Sequence, residues 1–374
     1  MKVLIAPNYF KGSLSSVKAA DIISNALKLV CSDITTIVCP LADGGDGTIE
    51  AVHMVQDGSL MHIKVHDPLC RIIESSWLMI DKYPAAIIES ARTNGLSLLK
   101  ENEYNPFITT TYGIGEFIND AVNKGCEKII VGVGGSATND AGFGALRALG
   151  AKFLDINNQE IGKDISSFKN LFKIDISGLN PALKNTQILV ATDVKNQLTG
   201  KNGASFTYAK QKGAKQEDLE TLDNLLSHFA DICTQEFGLD KRYEEGSGAA
   251  GGLSYGLAEI LGAKIINGFD TVADLIGLEQ KVKESDIVIT GEGRIDQQTL
   301  WGKAPFRVAE LAKKYEKPCI AIAGSIEENI DLSSYFKSVY TLLDMNISKQ
   351  EAINRADELL KDLIIKNHNK ILQN

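Results

Sequence analysis

The chain has 374 residues, more than the roughly 100 to 200 of a usual domain, and this length predicts two domains. With 44% hydrophobic, 23% charged and 7% aromatic residues it has the profile of an ordinary globular protein, which excludes a disordered or fibrous class. The formal net charge of −9, with no Lys/Arg run longer than two, opposes binding to nucleic acid or anionic membranes, so any anionic ligand must be held locally.

In chain order, the first apolar run is KVLIA at 2–6, a strand too short for the h-region of a signal peptide. No run approaches the roughly 18 apolar residues of a membrane span, and a cytoplasmic protein is expected. After GSLSS, the positions Val17, Ala20, Ile23, Ala26 and Leu27 form one helical stripe. A second buried strand, TTIVC, comes next at 35–39. Residues 60–90 read as three antiparallel strands with turns at Asp67-Pro68 and near Pro84. Apolar runs without strict alternation return at 128–133, 187–192, 286–290 and 319–323, as in parallel strands buried on both faces. Residues 216–236 form an amphipathic helix on Leu219, Leu222, Leu225, Leu226, Phe229, Ile232 and Cys233, with Gly238 as its stop. A last stripe carries Ile353, Ala356, Leu359, Leu360 and Leu363.

The change from parallel to antiparallel texture predicts an α/β domain at 1–58 plus 262–374, interrupted by an α+β domain at 59–261. The six cysteines contain no C-x-x-C pair, and the five histidines have no metal-ligand spacing and no neighbouring nucleophile. Zinc and serine-hydrolase chemistries are therefore not expected.

The functional signal lies in the turns at the strand ends. PNYFKGSLSS, PLADGGDGT, GGSATND, DVKNQLTGKNG and GEGRIDQQT each carry glycine and an acid or a base. In open α/β sheets such turns bind ligands, with helix N-termini offering N–H groups to anions. Asp43 and Asp46 could hold Mg²⁺ or substrate hydroxyls, or Asp46 and Thr48 could only cap the next helix. Asp193, at a strand's carboxyl end with Lys195 two residues on, sits where a general base or metal ligand meets a hydroxyl, unless it only forms the turn. Arg294 suits a carboxylate or phosphate, with Glu292 and Asp296 orienting it or reaching a metal. Lys11, Gly12 and Ser13 at a helix mouth form an anion site. The run EEGSGAAGGL at 244–253 permits close backbone approach to a ligand or between helices.

VGVGGSATND at 131–140 is ambiguous. Gly132, Gly134 and Ala137 fit G-x-G-x-x-A, and Asp155 closes the next strand-like run where a ribose-binding acid would sit, which reads as a dehydrogenase. Asp140 in the first turn would instead repel a pyrophosphate. A phosphate cradle of backbone N–H groups and the Ser136 and Thr138 hydroxyls is the competing reading. No P-loop is present.

Six stretches in order, APNYFKGSLSS, PLADGGDGT, GVGGSATNDAGFGAL, ATDVKNQLTG, GSGAAGGL and ITGEGRIDQQTLWGKAP, resemble the bacterial glycerate kinase type 1 family over nearly the whole length. The resemblance implies phosphorylation of D-glycerate by ATP with Mg²⁺, usually at the 2-hydroxyl and otherwise at the 3-hydroxyl. It also implies a flavodoxin-like domain with a second domain inserted, the active site in the cleft between them. The chain departs from the usual APDSFKGSL at Asn8 and Tyr9, and from DVxNPL at Gln197.

On this reading residue type assigns Asp193 as base, Arg294 with Lys11 and Ser13 to the substrate carboxylate, and Lys195 to the transferring phosphate. Asp43 and Asp46 serve metal or glycerate hydroxyls, and Asp296 is a further metal candidate. Gly134, Gly135, Ser136, Thr138, Gly251, Gly252 and Gly291 line the nucleotide. Two other classes stay open, a nicotinamide-dependent hydroxy-acid dehydrogenase and a non-catalytic sugar-acid or nucleotide-binding regulator. The oligomeric state is open, a homodimer included.

Overall fold

The computed structural model describes residues 1–297, 303–327, 330–345 and 347–373. Residues 298–302, within the last of the six motifs, lie outside the described residues. The chain divides into two compact units, one of Met1–Asp43, Glu50–Gln56 and Phe269–Asn374, the other of Gly44–Ile49 and Asp57–Gly268.

The first unit is built on a five-stranded sheet, all parallel, in the order Ser338–Thr341, Cys319–Ile326, Ile287–Ile295, Lys2–Pro7, Thr35–Val38. Numbered along the chain this is 2-1-3-4-5, the flavodoxin-like order, which has its topological switch point between the first and third strands. Val3, Leu4, Ile5 and Ala6 are all fully buried, which explains the unbroken apolar run: both faces of the sheet are covered. On one face Val3 and Ile5 pack with Ala19, Ile23 and Leu27 of helix Ser16–Val30 and with Leu360 and Ile364 of helix Ala356–Leu372. The first of these helices starts where Ser15 accepts a hydrogen bond from the Lys18 N–H, 3.2 Å away. Each such buried Leu or Ile contributes about 1.5–3 kcal/mol, so the stripe rather than helix propensity holds the helices to the sheet.

The second unit carries a six-stranded mixed sheet in the order Lys264–Ile266, Gln187–Ala191, Lys128–Gly132, Ala85–Glu89, Ile72–Ile80, Gly58–His66. The first four strands are parallel and the last two antiparallel. The meander expected at 60–90 is present, its first turn held by Asp67, whose Oδ1 accepts from the Leu69 and Arg71 N–H groups. Its third strand leaves the meander and pairs in parallel with Lys128–Gly132, so one strand belongs to both textures.

Helices Tyr112–Asn123 and Ala249–Leu261 cover this sheet through Ile114, Phe117, Ile118, Leu253 and Leu257. A further apolar cluster around Phe143, Phe153, Phe168 and Tyr255 receives helix Leu219–Phe237, which buries Leu222, Leu226 and Phe229 as its spacing predicts. Gly238 ends that helix at φ 71°, a left-handed conformation that favours glycine. Four of the cysteines, Cys39, Cys126, Cys233 and Cys319, are buried, and burial pushes the Cys39 thiol up to about 12.

Candidate active site

At the switch point of the first unit the strand Lys2–Pro7 runs into Asn8 and the tight turn Phe10–Leu14, where Phe10 N donates to Leu14 O and Gly12 takes φ 80°. The neighbouring strand Ile287–Ile295 approaches this turn so closely that a Cβ on Gly293 would lie 2.9 Å from the Lys11 nitrogen. Between them is a cavity of about 290 Å³ lined by Phe10, Lys11, Ser13, Gly293, Arg294 and Lys349, among others. Lys11, Arg294 and Lys349 are exposed, and none of the three makes an ion pair or side-chain hydrogen bond among the described residues.

Three cations around one small cavity at the carboxyl ends of parallel strands give a strong local field for an anion in a chain of net charge −9. Ser13 closes the turn by donating to Phe10 O at 3.1 Å. Lys349 was not anticipated, because it begins a short helix some 55 residues after Arg294 and belongs to no glycine turn. Asn8 is 5% exposed, and its Oδ1 has no partner among the described residues. An orphaned acceptor at a strand's carboxyl end is costly unless a ligand satisfies it.

The second unit assembles three stretches. Segment 44–49 lies across the carboxyl ends of two strands: a Cβ on Gly132 would come within 2.2 Å of Gly44 O, and one on Gly134 within 2.6 Å of Gly45 Cα. A Cβ on Gly135, an exposed residue at φ 71°, would sit 2.9 Å from an oxygen of Asp46, so this carboxylate stands beside the mouth of the turn. Asp46 is exposed, while the helix start is capped from elsewhere: Glu89 Oε1 accepts from Ile49 N at 2.7 Å, and its Oε2 from Arg92 Nε at 2.8 Å. The third stretch, ESARTNG at 89–95, follows a strand whose sequence reads only as part of the meander, so nothing there marks it as a site. It donates from Asn94 Nδ2 to Thr138 Oγ1 at 3.2 Å.

Several proposed ligand contacts turn out to be structural. Thr138 is fully buried, its hydroxyl between Asn94 and Ala250, so it does not face a ligand as expected. Gly251 and Gly252 are buried beneath 138–141, where a Cβ on Gly251 would lie 2.0 Å from Thr138 O and one on Gly252 2.5 Å from the Leu198 side chain, so protein atoms already occupy the space beside them. Gly291 lies inside its strand against Ile322, with a Cβ position 1.9 Å from that carbonyl, and it is strand packing that demands a glycine there.

Asp140 accepts from Thr111 N and Oγ1, both at 2.9 Å, and from Gly142 N and Gly144 N, both at 3.2 Å. Burial raises its pKa and these four donors work against the rise. It ties the starts of helices Tyr112–Asn123 and Phe143–Ala148 together, the work of a structural carboxylate.

Asp193 is exposed at the end of strand Gln187–Ala191, where its Oδ1 accepts from Gly268 N at 2.9 Å. Lys195 is exposed and 3.6 Å from Glu245, a contact that water screens heavily. Asp296 pairs with Lys303 at 3.1 Å. Asp43 is half-buried. No cluster of three or more His, Cys, Asp or Glu among the described residues could hold a metal by itself. That donor set fits Mg²⁺ only in its commoner mode, one or two carboxylates completed by substrate phosphates and water, for which Asp46 beside Gly135 is suited.

The dinucleotide reading fails on geometry. Gly132 and Gly134 are approached by Gly44 and Gly45, not by space for a pyrophosphate. The strand Lys152–Leu154 pairs antiparallel with Lys173–Asp175 in a separate two-stranded sheet, so Asp155 does not end a parallel strand beside Lys128–Gly132, where a ribose-binding acid would sit. Asp155 closes its own turn, accepting from Asn157 N and Gln159 N.

A sequence model of the glycerate kinase family matches residues 3–371. Among curated proteins the chain is 43% identical over 330 residues to a glycerate 2-kinase of Escherichia coli (strain K12), covering 88% of this chain and 87% of that one. It is 40% identical over 363 residues to a glycerate kinase of Bacillus subtilis (strain 168), covering 96% and 95%. The crystal structure of a glycerate kinase 2 from Salmonella typhimurium LT2 superposes with a TM-score of 0.86 at 38% identity, over 99% of this chain and 97% of that one. No helix among the described residues is long and apolar enough to cross a membrane.

Proposed function

Because the chain belongs to the glycerate kinase family, we propose that it transfers the γ-phosphoryl group of ATP, with Mg²⁺, to the 2-hydroxyl of D-glycerate. The observation that carries the reading is the switch-point cavity lined by three cations, Lys11, Arg294 and Lys349, with no ion pair among the described residues, which suits a small carboxylate. Arg294 binds the carboxylate in its fork and Lys11 and Lys349 add charge without demanding one geometry. Asn8 Oδ1 accepts a hydrogen bond from a substrate hydroxyl.

In the second unit Gly134, Gly135 and Ser136 present N–H groups and one hydroxyl to nucleotide phosphates. Bound with them, Mg²⁺ would neutralise phosphate charge, with Asp46 and Asp43 as the carboxylates that complete its shell. Asp193 takes the proton of the attacking hydroxyl, and Lys195 neutralises charge on the transferred group. Phosphoryl transfer asks little covalent chemistry of the protein, so positioning and charge carry the acceleration.

ATP consumption is expected to depend on added D-glycerate, with phosphorus NMR of the product showing a 2-phosphate ester. A 3-phosphate ester would move the attacking hydroxyl, and glycerate-independent binding of ATP without turnover would favour a regulator. Lys349→Met is expected to raise KM for glycerate about 10- to 100-fold, the loss of one charge-assisted contact, with KM for ATP little changed. An unaltered glycerate KM would remove Lys349 from the site.

A further inference from the structure

Lys212 is 2% exposed, and its ammonium is enclosed by the turn at 134–138. Nζ donates to Ser136 Oγ at 3.0 Å and to Thr138 O at 2.7 Å. The lysine closes a one-turn helix, Lys210–Lys212, with Gly213 next at φ 101°. A buried amine needs a reason, since an ammonium without full compensation costs several kcal/mol. Among the described residues Asp140 is the charged side chain whose field reaches it, and Asp140 is already occupied by four donors. The other groups of the network, Ser136, Thr138 and Asn94, are neutral, and the Asn94 Oδ1 atom has no partner among the described residues.

The direction of one hydrogen bond makes this arrangement chemical rather than only structural. While Lys212 is an ammonium it has no lone pair, so Ser136 Oγ must accept from it and the Ser136 proton must point elsewhere. That proton has no acceptor among the described residues. The hydroxyl is thus held as a donor. A neutral amine carries a lone pair and can accept the Ser136 proton, which turns the hydroxyl away.

We propose that Lys212 is a positioning residue that sets the Ser136 hydroxyl as a donor to a nucleotide phosphate, so that nucleotide binding is coupled to uptake of one proton by Lys212. The inference rests on the reading of this turn as a phosphate site. Burial brings the Lys212 pKa down from 10.5 to about 7, with Asp140 pulling it back up. Burial therefore favours the neutral amine in the free protein at neutral pH and above. A bound phosphate raises that pKa by favouring the charged form. Affinity is accordingly highest below pH ~7 and falls as pH rises, by up to roughly tenfold per unit while the free protein has lost the proton and the complex retains it.

Titration of the full-length protein with MgATP, without glycerate, between pH 7 and 9 tests this. Above pH 7 the nucleotide phosphates are already ionised. Calorimetry at pH 8 in two buffers of different ionisation enthalpy should show uptake of about one proton per nucleotide. Lys212→Met should bind more weakly, with a flat pH dependence and no buffer-dependent heat. Ser136→Ala, which keeps the lysine, should raise KM for ATP at pH 7 and lose most of the pH slope. Binding without proton uptake in the wild type overturns the inference, as does a full pH slope retained in Ser136→Ala. If Ser136→Ala leaves KM for ATP unchanged at pH 7, the phosphate reading of the turn fails and the coupling fails with it.

Discussion

Asp193→Asn should lower turnover by about 10²- to 10⁴-fold, the usual range for a positioned general base, with KM for glycerate and ATP changed much less. The substitution is selective because an amide oxygen can still accept from Gly268 N, the contact that Asp193 Oδ1 makes at 2.9 Å, so the turn before helix Gly268–Leu275 is retained. What Asn cannot do is take a proton. Steady-state kinetics with a thermal melt separates the two roles. Turnover within about tenfold of wild type, or ~1.4 kcal/mol of barrier, would leave Asp193 as only a cap for that helix.

The second large effect is expected for Gly132→Ala. A new Cβ would lie 2.2 Å from Gly44 O and 3.0 Å from Gly44 C, both backbone atoms, so no side chain can swing aside. Overpacking of this kind costs about 1–3 kcal/mol or more, and relief requires segment 44–49 to lift from the strand ends. That segment carries Asp46, so activity should fall together with stability. Gly162→Ala, at an exposed position where the Cβ would meet only Ser167, at 3.1 Å, should stay within about 0.5 kcal/mol. Equal denaturant midpoints for the two variants would rule out the close approach at Gly132. A dinucleotide fingerprint would predict the opposite pattern, weak cofactor binding in a chain of ordinary stability.

The strands were legible because their signal is local. KVLIA, KIIVG and QILVA are apolar after an exposed first residue, and burial on both faces leaves no other pattern available to them. The helix at Leu219–Phe237 was legible for the same reason, its stripe and Gly238 being properties of consecutive residues. Strands Lys264–Ile266 and Ser338–Thr341 were missed, since three or four residues at a sheet edge carry too little periodicity to stand out.

Site residues divide similarly. Lys11, Ser13 and Arg294 lie on turns whose chemistry is visible in sequence, and the structure gathers them around one cavity. Thr138, Gly251, Gly252 and Gly291 share the same composition, yet their demands come from protein neighbours distant in sequence. Lys349 and Lys212 have no local signal at all. One is a surface lysine at a helix start, the other lies in a run, KQKGAK, that reads as solvated charge.

The sequence by itself determined the strand-and-turn framework, the family, and the acids and bases available at the strand ends, because these depend on residue type and on spacing along the chain. Only the tertiary structure decided what the glycines of VGVGGSATND are for. In isolation they admit a pyrophosphate. In the folded chain Gly44 and Gly45 fill that space, Asp140 spends its oxygens on two helix starts, and a buried lysine from 72 residues beyond Asp140 holds Ser136. Close approach between segments far apart in sequence is a property of packing, and no periodicity or motif encodes which backbone will occupy the space a glycine leaves.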